Sequence, residues 1–152
     1  MKNFRALFFT PSWMAVAALA LIQLSSCGRD PDPVVPELTE AEKVATLLTA
    51  GRWPLTSVTV EGEDAAAIFK DFSITFTNTG YTTTGTTPVW KRSGTWAFTD
   101  ESATKFMRDD NVEVTINAID GQSLKLTLQW NETLYGGKGN ALRGKHEFVL
   151  NK

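Results

Sequence analysis

From residue 52 onward, apolar and polar positions alternate with a period of two, and turn residues break the alternation at short intervals. Phe72, Ile74 and Phe76 fall on one face of an extended run, with Ser73, Thr75 and Thr77 on the other. Gly94, Trp96 and Phe98 alternate with Thr95, Ala97 and Thr99. Val112, Val114, Ile116 and Ala118 alternate with Glu113, Thr115 and Asn117. Leu124, Leu126, Leu128 and Trp130 alternate with Lys125, Thr127 and Gln129. Side chains on a strand point alternately to its two faces, so each run predicts a strand with one buried and one solvated face. The pattern predicts eight strands, over 52–60, 71–78, 80–86, 89–99, 104–108, 111–119, 122–131 and 143–150, with a short helical segment around Asp64–Phe69. Asp120-Gly121, between two strong runs, predicts a tight type I′ hairpin, and Asn78-Thr79-Gly80 a similar turn.

One helix precedes the strands. Thr39-Glu40-Ala41-Glu42 has the form of a capping box, with Thr39 as N-cap and Glu42 three residues on. Val44, Leu47 and Leu48 supply an apolar stripe, and Gly51 stops the helix at C′. Such a helix either packs across an open end of the β structure or offers its stripe to a partner. The first use is favoured. Consecutive strands joined by short turns form an up-and-down meander, and closing it removes exposed edges. The expected fold is mainly β, a small antiparallel eight-stranded up-and-down barrel with one N-terminal α-helix.

The chain start has a different character. Lys2 and Arg5 precede an apolar run from Trp13 to Ile22, which is too short for a membrane-spanning helix of about 20 residues. Leu24-Ser25-Ser26-Cys27 follows, and Cys27 is the one cysteine in the chain. This layout is that of an export signal, and the tetrapeptide resembles the lipobox of bacterial lipoproteins. The resemblance implies cleavage between Ser26 and Cys27 and lipidation of Cys27. Several acyl chains, each contributing about 0.8 kcal/mol per buried CH₂, would anchor the protein stably to a membrane. Residues 28–36 contain three prolines in nine positions, which excludes helix and sheet and favours polyproline II. At about 3.1 Å per residue this tether reaches roughly 25–30 Å. Gly28 after the cysteine, by resemblance to enteric lipoproteins, implies the outer membrane. The expected organisation is a signal peptide over 1–26, a lipidated cysteine and tether over 27–37, and the barrel domain over 38–152.

Loss of the signal removes two basic residues, leaving 13 Lys+Arg against 17 Asp+Glu and a net charge of −4. Nucleic-acid binding needs a basic stripe, which this acidity argues against.

Gly51-Arg52-Trp53 at the start of the first strand resembles the Gly-x-Trp signature of lipocalins. With the lipobox, Gly94-Thr95-Trp96 and the Gly144–Leu150 ending, the layout resembles lipocalin-like lipoproteins of Bacteroidota over residues 38–152. The resemblance implies that Trp53 closes the barrel base and packs against a basic residue near the last strand, with Arg143 first in line and Lys145 second. It also implies a small apolar ligand inside the barrel. The second and third lipocalin signatures are missing, however, and the short strands with many Trp and Phe residues point to a filled interior, since eight strands enclose little more than their own side chains.

Candidate chemistry is sparse. Structural zinc wants Cys and His clusters, and the chain has one His and one Cys, so neither metal nor cofactor is expected. Asp109-Asp110-Asn111 with Glu113 lacks the spacing of a calcium loop and reads as a solvated β-turn. No Gly-x-Ser-x-Gly context accompanies the serines. Gly136–Asn140 is a glycine-rich loop without P-loop spacing. Trp90, beside Lys91 and Arg92, offers a surface for stacking on sugars or a barrel-wall residue. Trp96, Trp130 and His146 are further candidates for a ligand site or barrel mouth, with His146 on the face of Phe148 and Leu150. The expected function is a non-enzymatic envelope module that binds a small apolar ligand, a glycan or another envelope protein. A structural subunit of an outer-membrane assembly ranks second, and a glycan hydrolase with paired carboxylates a distant third.

Overall fold

The computed structural model describes residues 36–131 and 142–152; the predicted signal, Ser26, Cys27, most of the tether and the Gly136–Asn140 loop lie outside them. The helix α1 (Glu40–Thr49) forms as expected. Thr39 Oγ1 accepts from the Glu42 N–H at 3.2 Å, and the Glu42 carboxylate accepts from the Thr39 N–H at 2.8 Å. The Thr39 N–H, together with the Thr39 hydroxyl donating to the same carboxylate oxygen at 2.9 Å, holds the Glu42 carboxyl below its ordinary pKa. Gly51 follows the helix with φ +149°, a value side chains rarely adopt.

Among the described residues nine strands follow: β1 (Arg52–Val60), β2 (Glu63–Asp64), β3 (Ser73–Phe76), β4 (Gly80–Thr84), β5 (Ser93–Phe98), β6 (Lys105–Arg108), β7 (Glu113–Ile119), β8 (Ser123–Trp130) and β9 (Gly144–Asn151). The two-residue β2 hangs off β1 as a hairpin arm. The other eight pair in sequence order, each antiparallel to the next, and β9 returns to β1. Among the described residues the result is a closed eight-stranded antiparallel barrel, as the alternation predicts, with the helix α1 before it. Two strands turn its corners. β1 pairs with β3 through Arg52–Pro54, then bulges between Leu55 and Ser57 and pairs with β9. β5 pairs with β4 through Ser93–Thr95 and with β6 through Trp96–Phe98.

Local details differ from the sequence reading. Positive φ at both Glu61 (50°) and Gly62 (87°) makes the type I′ turn the one between β1 and β2. Gly121 has no positive φ. Asp120 instead caps its own turn, with Oδ1 accepting from Gln122 N and Ser123 N at 2.7 Å each. The segment 64–69 narrows to a 3-10 turn at Ala66–Ile68. The strand expected over 89–99 begins only at Ser93, because residues 86–92 form a loop that turns Trp90 inward.

α1 lies at the lower end of the barrel and touches both β3 and β7, four places apart in the ring, so it crosses the opening. Leu48 is fully buried, and the Trp53 indole N–H donates to the Leu48 carbonyl at 2.9 Å. The cation over Trp53 is Lys152, its Nζ 3.8 Å from the ring centroid. Arg143 is exposed and Lys145 pairs with Glu147. The register explains this correction: Leu55 faces Leu150 and Val60 faces His146, so β9 starts at the upper end and only the chain's last residues reach Trp53. Replacing Lys152 by Ala should cost about 0.5–1 kcal/mol in denaturant unfolding. Arg143→Ala should stay within about 0.5 kcal/mol, and Trp53→Ala should cost about 3–5 kcal/mol.

Candidate functional site

Alternation along β6 sends Lys105 and Met107 outward and Phe106 and Arg108 inward. Arg108 is therefore a buried cation at the upper end of the barrel, only 2% exposed. Its Nη1 donates to the Val89 carbonyl at 3.0 Å, and its Nη2 to Asp110 Oδ2. The guanidinium carbon lies 4.4 Å from the Trp90 ring centroid, 5.8 Å from Tyr81 and 6.0 Å from Trp130. An ion pair out of water is retained only when hydrogen bonds and favourable contacts offset its desolvation, and this cage of aromatic faces with one carbonyl and one carboxylate meets that need.

The loop between β4 and β5 supplies the cage's lid residues, Val89 and Trp90. Thr83 holds the end of that loop through its N–H to Arg92 O at 2.9 Å and its hydroxyl to Lys91 O at 2.9 Å. Gly85, at φ +75°, passes so close to Asp71 that a Cβ would sit 2.3 Å from the Asp71 carbonyl. Lys91 pairs with Asp109 at 2.9 Å and holds that carboxyl below its ordinary pKa. The turn read as solvated is thus a turn with divided duties: Asp109 faces solvent and Lys91, while Asp110 is drawn inward to Arg108, its side chain 9% exposed. Asn111 completes the turn at φ 60°. Mid-strand Gly94 lies opposite Tyr81, and the Tyr81 ring packs into the space a Cβ would take. Burial pushes the Tyr81 phenol up, with Arg108 opposing.

His146 is fully buried. Its ring stacks on Phe148, centroids 6.1 Å apart, and meets Phe69 edge-on at 6.1 Å. Burial pushes its pKa below 6.5, against the Gly144 carbonyl and Glu61. The Gly144 carbonyl can only accept, so the neutral ring donates to it from Nδ1 at 3.1 Å. Its Nε2, like the Trp90 Nε1, has no protein partner among the described residues.

Of the sequence candidates, Trp90, Trp130 and His146 belong to the upper half of the barrel. Trp96 lies below them, its indole N–H shared between the Thr77 and Gly80 carbonyls at 3.0 Å each. All four are buried. Trp90, at 1% exposure, is neither a sugar-stacking surface nor a wall residue, but a plug. Arg108 escaped the sequence reading, though Phe106 inside already implied Arg108 inside. Trp53, Phe76, Phe106, Leu126 and Phe148 fill the space below the cage.

Open grooves occur on the outside. One of about 540 Å³ lies on the upper wall, lined by the β6–β7 turn residues 110–112, by residues of β7, β8 and β9, and by Asn131. A second, of about 340 Å³, runs between α1 and Trp96–Phe98. In comparison with known proteins, the chain matches no protein-family model and no curated sequence.

Two outcomes follow from this geometry. Asp110→Ala leaves a buried cation and should cost about 3–5 kcal/mol, whereas Arg108→Met with Asp110→Ala should cost clearly less, measured by urea unfolding. His146 takes its proton more readily in the unfolded chain, so its contribution to stability is complete above about pH 6.5 and falls as pH drops below that value. Stability measured from about pH 8 to about pH 5 should decline less steeply in His146→Phe than in the native chain.

Proposed function

We propose that this chain is an envelope-anchored lipoprotein whose barrel is a non-enzymatic binding module. The barrel's interior is filled, with bulky side chains inside, α1 across its lower end and Trp90 and Arg108 at its upper end, which counts against a small apolar ligand within it. The observation that carries the module reading is the groove of about 540 Å³ on its outer wall. A barrel so filled offers its outer wall, rather than a chamber for a small apolar ligand, to what it binds. The lipobox-like Leu24–Cys27 and the proline-rich stretch supply the anchor and the tether, with the outer membrane as the favoured site. The non-enzymatic reading draws on the carboxylates near the upper end, which are engaged structurally: Asp109 with Lys91, Asp110 with Arg108, and Glu147 with Lys145.

A structural subunit would present a broad apolar face. The large apolar side chains exposed among the described residues are Leu38, Ile68 and Met107, which stand on separate elements: before α1, in the 3-10 turn and on β6. That scatter favours the binding module over the subunit.

Expression of the full chain in a bacterium fed a clickable palmitate analogue should label the protein, and Cys27→Ser should abolish the label. An unlabelled native chain, or a label that survives Cys27→Ser, would remove the lipoprotein reading.

A further inference from the structure

The groove on the upper outer wall has a distinctive lining. Thr115 of β7 and Thr127 of β8 face each other across the ladder and form a low floor. Longer side chains rise around it, Glu113, Gln129, Asn131 and Lys145, and the β6–β7 turn closes one end with Asn111, Val112 and Asp110, the last already paired with Arg108. The volume of about 540 Å³ falls within the roughly 300–1,000 Å³ common for small-ligand sites.

The chemistry of these walls is selective. Glu113 is paired with Lys105 at 2.8 Å, and Lys145 with Glu147 at 2.6 Å, so the charges at the rim are already balanced. Neither a polyanion nor a polycation gains from entering. Along the groove, alternation points Val114, Leu126 and Leu128 into the barrel, and Val112 at its edge is buried, so a lipid chain or an apolar peptide side chain finds little to bury against. What the groove does offer is hydrogen-bonding capacity in both senses. Thr127 Oγ1 donates to Asn117 at 2.6 Å and keeps its lone pairs; Gln129 Nε2 donates to Asn131 Oδ1 at 3.2 Å, which leaves a carbonyl on one amide and an amino group on the other. Thr115 adds a hydroxyl. Neighbouring strands set these groups about 4.8 Å apart. Donors and acceptors at that spacing, without net charge or apolar floor, suit a chain of hydroxylated rings.

We propose that the β7–β9 groove binds a neutral oligosaccharide. The proposal rests on the reading of the barrel as an envelope binding module and names its ligand class.

The test uses the full chain in detergent, isotope-labelled, with maltotriose and the N-acetylglucosamine trimer as probes and backbone amide shifts as readout. Expected are shifts confined to residues 113–115, 127–131 and 145, saturating with a dissociation constant at or below about 10 mM for at least one probe. Thr127→Arg fills the floor and should weaken binding at least about tenfold; Gln129→Ala removes one hydrogen-bonding group and should weaken it about 3–10-fold. Neither position is a core residue, so both variants should unfold at the native urea midpoint. Absence of groove shifts with both sugars overturns the proposal. So do shifts elsewhere, unchanged affinity in Thr127→Arg, or binding of dextran sulfate or phospholipid vesicles in place of the sugars. Palmitate labelling at Cys27 with no sugar binding would sink the groove's assignment and leave the envelope reading standing.

Discussion

Closure of β9 onto β1 is the constraint on which the remaining structure depends. One antiparallel register sets Leu150 beside Leu55 and His146 beside Val60. It brings Lys152 to Trp53 and so ties the chain's end to the barrel base beneath α1. It leaves none of the eight ring strands with an unpaired edge along its whole length, and places the acidic β2 arm beside the seam. Because the strands are only four to nine residues long, the ring encloses a small volume. A run of Trp, Phe and Leu side chains suffices to occupy it.

The upper end depends on a different balance. A guanidinium in a barrel of aromatic rings is costly to desolvate, and its partners come from four separate segments: Tyr81 from β4, Val89 and Trp90 from the β4–β5 loop, Asp110 from the β6–β7 turn, and Trp130 from the end of β8. The pair therefore reports on whether all four segments are in place. In energetic terms it is weak evidence of net stabilisation, since an apolar replacement of both partners is often no worse. Its consequence is positional: it seats the Trp90 loop and turns Asp110 away from solvent.

Most of the architecture was legible in period-two alternation, because one face of nearly every strand is buried and a half-buried strand advertises itself. The capping box at Thr39–Glu42 was legible for the same local reason. What escaped depended on partners distant in sequence. Trp90 looks like part of a strand until Gly85, Asp71 and Thr83 are seen to fold its loop inward. The lipocalin resemblance suggested Arg143 for Trp53, but the pairing register rather than proximity in sequence to the last strand decides which cation arrives. Asp120-Gly121 has the composition of a type I′ turn, yet the Asp120 carboxylate satisfies two backbone N–H groups and stabilises a different turn, while Glu61-Gly62 takes the positive φ values. The outer groove had no signature at all, since it is built from polar positions that the alternation marks only as solvated.

The proposed function requires the barrel to be filled, with binding on its outer wall. The most direct measurement is mass spectrometry of the chain purified from the cells that express it, compared under native and denaturing conditions. A filled barrel predicts one mass in both, apart from any covalent lipid. A small apolar molecule retained in the native spectrum and lost on denaturation would contradict it, because such a ligand would need the space now assigned to Trp53, Phe106, Phe148 and their neighbours.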